Sequence, residues 1–135
     1  MKSNEALIRL KTFQVEDKQR KVAQIETMIA EFERMANDLD REIRVEQDRS
    51  GIHDPAHYAY PTYAKAAIAR RDNLKHSADE LRAQLADAKA ALQEACDERR
   101  KAELLGERER AAQDARGQND LDSLGSILNS RAALA

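Results

Sequence analysis

From Val15 to Ile43 the apolar residues recur in sevens. Val15, Val22, Ile29, Ala36 and Ile43 share one heptad position, and Ile25, Phe32 and Leu39 fall three residues after theirs. Almost everything between them is Glu, Asp, Lys, Arg or Gln. A repeat of this kind puts a narrow apolar seam along one side of an α-helix, to be buried against another helix. The pattern extends back to Ile8, with Lys11 and Lys18 interrupting it. Nothing from about residue 4 to residue 49 breaks a helix, which implies a rod of roughly 70 Å. Ser3 or Asn4 is expected to cap its start, with Glu5 in the first turn.

Composition agrees with a fibrous rather than a globular fold. Charged residues make up 36% of the 135 residues and aromatics 4%, with no Trp. Four Gly and two Pro leave few breakpoints. That balance suits long helices or a coiled coil. The breakpoint is Ser50-Gly51-Ile52-His53-Asp54-Pro55, with Pro61 soon after. Gly51 can end the first helix in a left-handed conformation, and Pro61 or Thr62 can begin the second.

The second helix is expected from about residue 62 to 116. Arg71, Ala78, Leu85, Leu92 and Arg99 fall on one seam position, and Ala67, Leu74, Leu81, Ala88, Ala95 and Ala102 on the other. A turn over about residues 50–61 is short enough to force antiparallel neighbours. The preferred register sets Ile43 opposite Leu74, Leu39 opposite Ala78, Ala36 opposite Leu81, Phe32 opposite Leu85, Ile29 opposite Ala88, Ile25 opposite Leu92 and Val22 opposite Ala95. It matches large residues with small ones or with Leu, and it places Glu46 beside Arg71. A second register works for several layers but leaves Leu39 against Arg71. The expected fold is therefore all-α: a long antiparallel two-helix coiled-coil hairpin over residues 1–116, followed by a tail over 117–135. Such a chain closes its own seam, which favours a monomeric hairpin over a homodimer.

In the preferred register Lys18 lies near Arg99 and Lys11 near Gly106. Like charges in a seam are unfavourable unless water, carboxylates or a partner reaches them. This end either frays or is built to be gripped by another protein. The tail carries apolar residues at 121, 124, 127 and 128. It is expected to be flexible or to form a short helix, weakened by Gly125 and ordered by a partner.

Chemistry is not visible. His53, Asp54 and His57 sit in a Pro-containing turn without the further ligands of a tetrahedral metal site. Cys96 flanks the seam, with no base placed to activate it. There is no phosphate-binding Gly loop and no hydrolase motif, so neither enzymatic activity nor a cofactor is expected. The formal net charge is −2, and acids interleave the bases of Asp97-Glu98-Arg99-Arg100-Lys101, so nucleic acid is not expected to bind. No apolar run approaches the roughly 20 residues of a membrane span, and the opening residues lack a secretory apolar core. A cytoplasmic protein is expected. Tyr58, Tyr60 and Tyr63 cluster at the turn, either closing the end of the hairpin or offering an interface.

Three stretches resemble the FliJ family of flagellar type III export proteins. The first is Ala6-Leu7-x-x-Leu10-Lys11 at the head of a charged helix. The second is Glu98-Arg99-Arg100-Lys101-x-x-Leu104 running into Glu107-Arg108-Glu109-Arg110-Ala111-Ala112. The third is Leu121-Asp122-x-Leu124, followed by Arg131. Ser123 stands where the family commonly has an acid, and the family's frequent Trp of the second helix is missing. The resemblance implies a cytoplasmic, stalk-like coiled coil without catalysis of its own, peripherally associated with the export apparatus at the membrane. Its termini would enter the hexameric export ATPase ring, here through Lys11, Lys18, Arg99, Arg100 and Lys101. The region after the turn, Tyr63, Ala67, Arg71 and Leu74, would face the export gate membrane protein. Export chaperones would be further partners, and flagellum assembly and motility would depend on the protein. The rival expectation is a generic coiled-coil adaptor that acts by dimerising.

Overall fold

A computed structural model describes residues 2–134. Two helices account for nearly all of them: α1, Lys2–Ser50, and α2, Thr62–Leu134. No strand occurs among the described residues. The helices pack against each other as an all-α helical hairpin, and the chain divides into two units. One is Asp17–Leu92, and the other combines Met1–Glu16 with Gln93–Ala135.

In Asp17–Leu92 the core is the expected seam. Val22, Ile25, Ile29, Leu81 and Ala88 are buried in one cluster, with Phe32, Leu85 and Leu92 packed on it. Ala36, Ile43, Ala64, Ala67 and Ala78 are buried as well, while Leu39 and Leu74 are half-buried. No charged or polar side chain is buried among the described residues. Apolar burial at about 25 cal/mol per Å² therefore drives the pairing here, as in any coiled-coil seam.

The turn is held by backbone and local side chains. Gly51 takes φ +76°, the left-handed conformation that costs an L-residue about 1–2 kcal/mol. Its N–H donates to the Gln47 carbonyl at 2.8 Å and closes α1. The Ile52 N–H donates to Ser50 Oγ at 3.1 Å. Pro61 precedes α2 and its carbonyl accepts the Lys65 N–H at 3.0 Å, so the ring sits where no N–H is needed.

The preferred register of the sequence analysis is one heptad out. Arg71 meets Asp40, not Glu46, and Arg82 meets Glu33. Gln47 meets Tyr60. These contacts fit the second register, with Ile43 opposite Ala67 and Phe32 opposite Ala78. An open groove lined by Phe32, Ala36 and Ala78 marks that layer. In this register Leu39 lies opposite Arg71. The guanidinium resolves this by leaving the seam: Nη1 donates to Asp40 Oδ1 at 2.9 Å and Nη2 to Asp72 Oδ1 at 3.1 Å.

In the other unit Val15, Ala95, Ala102 and Gly106 are buried. A Cβ on Gly106 would lie 3.5 Å from Ile8 Cδ1, so the two helices approach closely there. Neither Ser3 nor Asn4 caps α1, which already begins at Lys2. Asn4 instead donates to a Glu109 carboxylate oxygen on α2. Beyond this point α2 does not end near Arg116. It runs on through Gly117 and Gly125 to Leu134, and residues 110–132 are exposed apart from half-buried Gly125. The expected flexible or short-helical tail is the continuation of α2.

Candidate functional site

The fold treats the two candidate binding surfaces differently. Of the charged set, Lys11, Arg99, Arg100 and Lys101 lie in the unit built from both chain ends, and half-buried Lys18 lies in Asp17–Leu92. Lys11 does not approach Gly106. Its Nζ donates to Glu98 Oε2 at 2.9 Å across the two helices. That bond, with Lys101 nearby, holds the Glu98 carboxyl below its usual range. The expected like-charge conflict is thus met at Lys11 by a carboxylate. Arg99 turns along its own helix toward Glu103, Nε to Oε1 3.7 Å. Arg100 and Lys101 are exposed. These are surface pairs of small individual worth, but they set a polar pattern on the paired ends.

The second set, Tyr63, Ala67, Arg71 and Leu74, is spaced at helical intervals and so shares one face of α2. That face is turned largely toward α1. Ala67 is buried, Leu74 is half-buried and Arg71 is engaged by Asp40, which with Asp72 raises the guanidinium pKa further. The four residues therefore form no continuous outward surface. Tyr63 is the accessible member, 55% exposed. Its hydroxyl donates to Glu42 Oε2 at 2.7 Å, and that hydrogen bond, with the charge of the carboxylate behind it, raises the phenol pKa above its ordinary value.

The turn tyrosines divide between the two expected roles. Tyr60 is buried, and its hydroxyl accepts from Gln47 Nε2 at 2.9 Å, closing the hairpin end. Tyr58 is 96% exposed and stacks on His57 with ring centroids 4.6 Å apart. Asp54, His57 and His53 serve the turn. Asp54 Oδ1 accepts the Ala56 N–H at 2.9 Å, His57 Nδ1 accepts the Ala59 N–H at 3.0 Å, and His53 Nε2 lies 3.2 Å from Asp48 Oδ1. Among the described residues no cluster of three His, Cys, Asp or Glu is arranged to hold a metal, and no helix is long and apolar enough to cross a membrane. Cys96 is half-buried.

Sequence reasoning missed the partners Asp40, Glu33 and Glu98, because each depends on register. It placed Leu121, Leu124, Ile127 and Leu128 in a separate tail, whereas they ride on α2 itself, each more than half exposed. Compared with known protein families, curated proteins and solved structures, the chain matches none.

Proposed function

We propose that this chain is a non-enzymatic coupling protein of the FliJ type in flagellar protein export, a cytoplasmic helical hairpin that docks on the membrane-associated export apparatus. Its paired ends would enter the export ATPase ring, and the region around the turn would face the export gate. Export chaperones would be further partners. The reading rests on the three resembling stretches together with one observation: where the first and last parts of the chain pair, the seam turns polar. Lys11–Glu98 and Asn4–Glu109 bridge the helices there, and Arg100 and Lys101 stay exposed. A self-sufficient hairpin gains little from such an end, whereas charges on a slim helical pair are suited to steering into a complementary ring. At the gate-facing end Tyr63 is the member of the proposed set that a partner reaches without unpacking the seam. The rival adaptor reading requires dimerisation through the seam, which the chain's own second helix fills.

The test is direct. Purified protein is mixed with a flagellar export ATPase, and turnover and hexamer formation are measured. The expected result is stimulation that falls when Arg100 and Lys101 are changed together to Glu. Absence of both binding and any change in turnover defeats the proposal.

A further inference from the structure

The end of α2 carries a second heptad stripe, distinct from the one that α1 fills. Continuing the hairpin seam past Ala102 leads to Gly106, Glu109, Gln113, Arg116, Asp120 and Ser123, which is almost wholly polar. A different set takes up the three-four alternation: Asp114, Gly117, Leu121, Leu124, Leu128 and Arg131. All six are exposed, the leucines at 65%, 57% and 63%. They lie on one face of a continuous helix, in a segment with two glycines that costs helix stability while it packs on nothing.

We propose that this stripe pairs antiparallel with the same stripe of a second copy of the chain. Charge and size carry the argument. Under a two-fold axis between Leu121 and Leu124, each Leu121 faces the partner's Leu124. Gly117 faces Leu128, a small residue against a large one, and Asp114 faces Arg131. Every stripe position meets a stripe position, and each acid meets a base. Parallel pairing would instead set Asp114 on Asp114 and Arg131 on Arg131, which is repulsive. A surface whose two halves are complementary under a two-fold axis is what an isologous dimer needs. This contact leaves the hairpin seam untouched and goes beyond the export reading, because it concerns chain against chain.

Three leucines per copy bury well under the roughly 1,600 Å² of a standard interface, so the dimer is weak, with Kd on the order of 100 µM. Sedimentation equilibrium of the full chain, from micromolar to about 1 mM, should show the mass rising from monomer toward dimer. Leu124→Asp should abolish the rise and leave the thermal melt of the hairpin unchanged. Asp114→Arg alone and Arg131→Asp alone should each weaken association about three- to tenfold, since each places two like-charge pairs across the axis. The double variant Asp114→Arg/Arg131→Asp should restore it. If Leu124→Asp also melts the hairpin, the charge-reversal series decides by itself. A mass that stays monomeric throughout, or a double variant no better than the singles, overturns the proposal.

Discussion

Within Asp17–Leu92 the helices meet through Val22, Ile25, Ile29, Leu81 and Ala88, with ion pairs such as Arg71–Asp40 confined to the flanks. Where Met1–Glu16 meets Gln93–Ala135, the same heptad logic is thinner. Val15, Ala95 and Ala102 are buried, but a lysine–glutamate bridge, an asparagine–glutamate bond and a glycine occupy the remaining layers. One repeat thus does two jobs. With β-branched and aromatic side chains in its layers it supplies hydrophobic stabilisation. With Lys, Asn and Gly it keeps the helices side by side through polar contacts that add little hydrophobic stabilisation.

The contrast can be broken most sharply in the apolar unit. Ile29→Ala removes a side chain that is 8% exposed and should cost about 2–4 kcal/mol, seen as a lower midpoint in thermal or urea denaturation. Lys11→Ala at the polar end should cost far less. If the two are equal, the polar layers stabilise more than their composition suggests.

Gly106→Ala probes the polar end from the opposite direction. The added methyl meets Ile8 at an ordinary contact distance of 3.5 Å, and alanine is the better helix former. The variant should be more stable by about 0.5–1 kcal/mol. A loss of stability would mean that the helices are closer than the Ile8 contact allows.

A double-mutant cycle on Asp40→Ala and Arg71→Ala should return a coupling of about 0.5–1 kcal/mol, as expected of a partly exposed pair. The same cycle on Glu46 and Arg71 should return none, which tests the register by energetics.

The smallest effect is with pH. The Glu98 pKa is lowered in the folded protein by Lys11. Its contribution is therefore complete above the ordinary glutamate value of about 4.3 and is lost as pH falls through the lowered one. Protection factors, taken relative to the intrinsic exchange rate at each pH, should fall around Lys11 and Glu98 over that acid range, while amides around Ile25 and Ile29 stay protected, since no ionisable group is buried among them.

Much of this was legible in the residues themselves. The seam positions Val15, Val22, Ile25, Ile29, Ile43 and Leu81 are all buried, because a heptad stripe has one way to leave water. Gly51 and Pro61 mark the helix ends for reasons of backbone geometry alone. The candidate surfaces were less legible. Helical spacing gathered Tyr63, Ala67, Arg71 and Leu74 on one face, but whether that face looks inward depends on what packs against it. The length of α2 was also hidden, since Gly117 reads as a stop unless the helix is favoured on both sides of it.

The opening repeat by itself determined that two helices would pair, which side of each would be buried and roughly where the chain would reverse. Only the tertiary structure decided the register, and with it every cross-helix partner: Asp40 for Arg71, Glu33 for Arg82, Glu98 for Lys11. The physical reason is the repeat. A seam of period seven slipped by seven presents nearly the same apolar layers, so burial alone barely separates the two registers. The turn breaks the tie. α1 ends at Ser50, seven residues after Ile43, and α2 starts at Thr62, five residues before Ala67 but twelve before Leu74; with Tyr60 buried against Gln47, the turn brings Ile43 opposite Ala67 rather than Leu74.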